Sequence, residues 1–151
     1  MKYTCEIIID MSRNEVVALF DNPDNMKYWQ KGLLSFAHVS GQPGKPGAES
    51  ILKYDMSGRK IEMIETITHN NPPEEFHATY QTNGVTNIQR NFFKEIGDGQ
   101  TRWISECEFR FSGFMKLMAI FFGKGAFKKQ SMQFMEDFKS FAEGNPKYGQ
   151  D

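Results

Sequence analysis

Cysteine, histidine and proline are all scarce in this 151-residue chain, which has two Cys, three His and six Pro. Cys5 and Cys107 stand far apart with no Cys-x-x-Cys spacing. That argues against a disulfide framework or a thiolate metal cluster and leaves two buried free thiols in a reducing compartment. His38, His69 and His77 match no metal-ligand spacing, so neither a metal nor a cofactor is expected. An excess of charge of one sign is also missing. Eighteen basic against 19 acidic residues leave a net charge of -1, which gives no electrostatic reason to expect nucleic acid or an anionic membrane as partner. The opening MKYTCEIIID lacks the long apolar stretch of a signal peptide, and no apolar run is long enough to span a bilayer. Stable membrane insertion is therefore not expected, and a cytoplasmic location is.

Phenylalanine and methionine are plentiful instead, at 14 and 9 residues. Phe supplies large apolar surfaces and Met fills irregular space with a flexible side chain. The pair suits either an ordinary core or a cavity wall that repacks around a ligand, and composition leaves both open.

Periodicity organises the chain as one domain, residues 1–151. Residues 2–10 alternate, with Tyr3, Cys5, Ile7 and Ile9 on one face, which predicts a half-buried strand. Ser12 and Glu15 are spaced as a capping box, with Met11 and Val16 as its staple, and open a short helix through Phe20. Asn22-Pro23 ends that helix and starts a second short one carrying Met26 and Trp29. Strands are expected near 33–40, 50–57, 60–70, 75–82, 85–96 and 101–112, separated by Gly-, Asn- and Pro-rich turns. Such short connections imply an antiparallel meander. From Phe114 the period becomes helical: a short apolar helix, a break at Gly123-Lys124-Gly125, then a long amphipathic helix to about Gly144. The 41–47 turn lacks the Gly-Lys-Ser/Thr ending of a phosphate loop, and no helix follows it, so it reads as a hairpin loop.

This order predicts an α+β fold in which a curved seven-stranded antiparallel sheet closes around the C-terminal helix, with a hollow between them. The opening strand and capped helix, the Asp21-Asn22-Pro23-x-x-x-x-x-Trp29 segment, the glycine-proline turn ending in Gly47-Ala48 and the final amphipathic helix together carry a resemblance. Over about residues 2–142 the chain resembles the START-like, polyketide cyclase-related superfamily with its helix-grip fold. The resemblance implies a cavity for a hydrophobic ligand such as a lipid, an aromatic or a polyketide, without naming one.

Strand phase selects the side chains that would face such a cavity. Tyr54 and Met56 come from 50–57, Met63 and Glu65 from 60–70, Tyr80 from 75–82, and Trp103 and Ser105 from 101–112. Placing Arg90 outside, because a buried guanidinium is costly, turns Asn87, Gln89 and Asn91 inward. Trp29 from the second short helix, and Phe121, Met132 and Met135 from the C-terminal helices, complete the expected lining. Glu65 among hydrophobes would have a raised pKa and is the candidate acid or base, unless a wet edge or a polar neighbour satisfies it. The three amides form either a polar patch for a ligand or a hydrogen-bond ladder of their own. The apolar run 114–122 reads as core or lid, with a membrane-touching or dimer surface as alternatives.

Three functions fit: a carrier of a small hydrophobic molecule, a cyclase or dehydratase-type enzyme using Glu65, or a protein-interaction domain of chaperone-activator type. The chain is expected to act as a monomer or homodimer.

Overall fold

A computed structural model of the chain describes residues 1–149. Strands β1 (Lys2–Ile9), β2 (Leu33–Ser40), β3 (Glu49–Met56), β4 (Arg59–Asn71), β5 (Glu75–Thr82), β6 (Val85–Ile96) and β7 (Gln100–Phe111) form one antiparallel sheet in the order β1-β7-β6-β5-β4-β3-β2. The meander runs from β2 to β7, and β1 joins its far edge beside β7. Alternation survives in space: Tyr3, Cys5, Ile7 and Ile9 of β1 lie opposite Cys107, Ser105, Trp103 and Thr101 of β7, all on the concave face. This is the expected helix-grip architecture, and every expected strand is present.

Helix α1 (Arg13–Asp21) starts after Ser12, as the capping box predicted, with one difference. The Ser12 hydroxyl donates to the Glu15 carboxylate at 2.9 Å and not to a backbone N–H, so the pair is side chain to side chain. Asn22 then caps a six-residue 3-10 helix, Pro23–Tyr28, by accepting from the Asp24 N–H at 3.0 Å, and Pro23 occupies its first turn. The last helix, α2 (Phe114–Ala142), is two segments joined at Gly123, whose φ of 71° and ψ of 166° leave the helical region. A positive φ is cheap only for glycine, so the break expected from the sequence is built there. No helix among the described residues is long and apolar enough to cross a membrane.

The two halves of α2 have different fates. The second half packs across β1 and β7, where Phe127, Met132, Met135 and Phe138 meet the inward residues of those strands. Its buried Asp137 accepts from Gln133 at 2.9 Å and Tyr148 at 3.0 Å and pairs with Lys147 at 3.1 Å, which folds the tail back onto the helix. The first half is not core. Ile120 is 80% and Phe121 90% exposed, and Phe114, Leu117 and Phe122 are exposed beside them.

An aromatic cluster fills the middle of the concave face. Phe20 of α1 meets Trp29, Phe93, Trp103 and Phe138 with ring centroids 5.2–5.8 Å apart. Phe138 is fully buried and touches Trp29 and Trp103 edge-on at 5.1 and 5.4 Å. Removing its ring empties the joint between α2, α1 and the sheet. Phe138→Ala should therefore cost about 3–5 kcal/mol in chemical denaturation, or prevent folding altogether. A loss below about 1 kcal/mol would show that this joint is not structural.

Candidate functional site

The cavity of interest lies away from α2. It has a volume of about 200 Å³ and sits between the concave face of β2–β5 and the α1–3-10 segment, with Pro43 and Gly44 of the β2–β3 loop at one side. Among the described residues, no α2 side chain lines it. The sequence placed the hollow between the sheet and the C-terminal helix; the structure moves it. The second half of α2 is pressed onto β1 and β7, the aromatic cluster occupies the centre, and the Gly123 kink carries Phe121 into solvent. A larger hollow of about 420 Å³ opens between α1 and Pro72-Pro73, but none of the side chains around it is buried, and it is a surface depression.

Sheet register builds the polar part of the cavity as one row across neighbouring strands. His38 lies opposite Ser50, Ser50 opposite Glu65, Glu65 opposite Tyr80, and Tyr80 opposite Asn87. The first four of these line the cavity. Directly opposed side chains on one face are close enough to interact. The Tyr80 hydroxyl donates to the Glu65 carboxylate. Apolar walls surround the row: Phe20, Met26, Phe36, Ala48, Ile67 and Phe76.

Glu65 is 8% exposed. Burial pushes its pKa upward, and the hydrogen bond from Tyr80 offsets part of that rise. Burial, and then the nearby Glu65 charge, hold the Tyr80 and Tyr54 hydroxyls above their ordinary range, so both stay protonated donors at neutral pH. Tyr54 stands behind the wall and donates to the Gln30 amide oxygen at 3.0 Å, which orients Gln30 at the cavity edge. Trp29, 6% exposed, forms another wall, and its buried Nε1–H has no partner in the protein. A buried donor without a partner is rare and costly, and a ligand acceptor would satisfy it.

The structure brings together only some of the residues that strand phase selected. Trp29, Glu65 and Tyr80 line the cavity and Tyr54 supports it. Met56 and Met63 face the same side but pack beside the cavity, in the cluster of Leu52, Tyr54 and the wall residue Met26, without lining it. Of the three amides, only Asn87 stands in the row, with its buried Oδ1 unpartnered; it and Gln89 lie outside the cavity walls. Asn91 accepts from the Trp103 Nε1–H at 2.9 Å, so both polar groups are spent on each other inside the core. Ser105 is buried 3.6 Å from the Cys107 sulfur, and Met132 and Met135 pack in the aromatic core. Phe121 projects into solvent.

Ser50 and His38 were not foreseen. Ser50 shares parity with the inward Leu52 and Tyr54, so strand phase held that signal. His38 did not announce itself, because β2 slips register on both sides of it, between Leu33 and Ser35 and between His38 and Ser40.

A family model described as polyketide cyclase / dehydrase and lipid transport matches residues 1–139. No curated protein matches the chain. Solved structures share the fold at low identity. The protein TTHA0849 from Thermus thermophilus is 11% identical with a TM-score of 0.77, covering 95% of this chain and 97% of that one. A START superfamily protein from Mycobacterium smegmatis is 11% identical with a TM-score of 0.75, covering 94% and 97%. Ginseng major latex-like protein 151 from Panax ginseng is 13% identical with a TM-score of 0.68, covering 94% and 97%.

Glu65 makes the site pH-sensitive in a defined direction. Its folded pKa lies above its unfolded one, so between the two values the folded state keeps a proton that the unfolded state has released. Stability therefore falls as pH rises through that window. Glu65→Gln removes the slope. Thermal melts recorded from acidic to neutral pH should show the variant gaining stability relative to the parent as pH rises. A variant that loses stability at neutral pH would mean that the ionised carboxylate is a structural anchor.

Proposed function

Because the chain belongs to the polyketide cyclase / dehydrase and lipid transport family, we propose that it binds and carries a small, mostly apolar molecule in the cavity between β2–β5 and the 3-10 helix. The observation that carries this reading is that Trp29, whose buried Nε1–H has no partner in the protein, lines the same hollow as Ser50, Glu65 and Tyr80. A few convergent polar groups in an apolar pocket are how small-molecule sites fix orientation. The indole N–H offers a free donor, and the Tyr80 hydroxyl already donates to Glu65, so the favoured polar end is an uncharged carbonyl or hydroxyl oxygen that accepts from the indole. The apolar body would lie along Met26, Phe36, Ile67 and Phe76. About 200 Å³ is below the ~300–1,000 Å³ of common ligand pockets, which favours a single- or double-ring compound or a short chain over a long lipid.

A catalytic reading has one specific support, the raised pKa of Glu65 beside Tyr80 at the cavity wall. Such a carboxyl group could pass a proton to or from a bound carbonyl compound. Binding is the simpler reading: Ser50 and His38 face each other on the cavity wall, but among the described residues no hydrogen bond joins them as a nucleophile and its base.

The test compares 2-naphthol with naphthalene by calorimetric titration. The parent protein should bind 2-naphthol more tightly. Trp29→Phe, which keeps a ring but removes the donor, should weaken 2-naphthol by about 3- to 10-fold, the worth of one neutral hydrogen bond, and leave naphthalene unchanged. Absence of saturable binding of either compound, or equal binding of 2-naphthol by both proteins, would overturn the proposal.

A further inference from the structure

The convex face of the sheet carries a second cluster, unconnected with the cavity. Glu75 and His77 are two residues apart on β5 and so point to the same, outward side. On β4 the register slips: Ile67 pairs with Ala78, but the next pair is His69 with His77, and Thr68 is passed over. This bulge turns His69 onto the convex face directly opposite His77. Their rings stack with centroids 5.2 Å apart at 27°. One Glu75 oxygen, Oε2, lies 2.9 Å from His69 Nε2 and 3.4 Å from His77 Nε2, and the three ligand atoms all fall within 4.8 Å of one another. Phe92 of β6 closes one side edge-on to His77 at 5.1 Å, and the His69 side is open to solvent.

We propose that His69, Glu75 and His77 form a binding site for a divalent transition-metal ion of the Zn²⁺ class. Two imidazoles and one carboxylate are the donor set that such an ion prefers, and solvent can supply the remaining positions. The spacing fits. Bonds of ~2.0–2.1 Å at a tetrahedral angle place neighbouring ligand atoms about 3.4 Å apart, close to the two oxygen–nitrogen distances already present. A modest rotation of the two imidazoles would aim both Nε2 lone pairs at an ion held beside the shared Glu75 oxygen, and any proton on those nitrogens would be released to solvent as the ion binds. Arg90, across from His77 on β6, is the neighbouring cation in the ladder, and it has Glu106 on its other side.

The ion would clamp the end of the β4–β5 hairpin. Its opposite face carries Glu65, Ile67, Phe76 and Tyr80 into the cavity, and Phe76 lies between the two β5 ligands in sequence.

The test titrates the full chain, stripped with a chelator, first with Co²⁺ followed by its visible absorption and then with Zn²⁺ by calorimetry. One saturable equivalent is expected, with the bands of a nitrogen–oxygen site and displacement of Co²⁺ by Zn²⁺. His69→Ala and Glu75→Gln should each abolish it. Both residues are partly exposed, so melting of the metal-free variants should match the parent, and 2-naphthol binding should persist. Lack of saturable binding by the parent would overturn the assignment. So would retention of binding by both variants, which would move the metal to other groups such as the thiols of Cys5 and Cys107.

Discussion

The stacked and edge-on rings of Phe20, Trp29, Trp103 and Phe138 are the joint on which the rest of the molecule depends. A seven-stranded curved sheet has more concave apolar surface than one helix can cover. The rings couple α1, the 3-10 helix, β7 and α2 and fill the centre of that surface. On one side α2 covers β1 and β7 with Phe and Met. On the other, β2–β5 are covered by the end of α1, the 3-10 segment and a glycine-proline loop, and there the space stays partly hollow.

This division explains why the polar groups of the concave face differ in character. Those beneath the joint are matched pairwise: the Trp103 indole with Asn91, and the Tyr3 hydroxyl with Ser131 at 2.7 Å. Such pairing is the ordinary condition of buried polar atoms. Those beside the hollow are left incomplete. Glu65 has Tyr80 but is otherwise desolvated, and the Trp29 indole has no protein partner. Unpaired buried atoms also occur at Arg13, His77 and Asn87, so it is the combination of incomplete pairing with an apolar hollow that favours ligand binding at this wall.

Much of this was legible in the sequence. The turns at Ser57-Gly58, Asn83-Gly84 and Gly97-Asp98-Gly99 fixed where strands end, and alternation then fixed which side chains face inward, including Glu65, Tyr80 and the amides of β6. Placing Arg90 outside by its desolvation cost gave the correct phase for the whole of β6. Two kinds of information were out of reach. Periodicity shows which face is apolar but not how far a helix advances over a sheet, so Met132, Met135 and Phe121 were assigned to a cavity that α2 does not line. Bulges also break the parity on which phase depends. The slip in β4 sets His69 beside His77, and the slips in β2 set His38 opposite Ser50. No reading of histidine spacing could have joined 69 to 75 and 77 without it.

The most direct measurement is a nitrogen–proton correlation spectrum of the chain's two indole groups, recorded as 2-naphthol is added. Trp103 donates to Asn91 inside the core, whereas Trp29 stands at the cavity with its Nε1–H free. A ligand oxygen entering between β2–β5 and the 3-10 helix should shift the Trp29 indole resonance downfield and leave that of Trp103 nearly still. Binding that leaves the Trp29 resonance unmoved, or that shifts Trp103 instead, would contradict a cavity in which the unpaired indole receives the ligand.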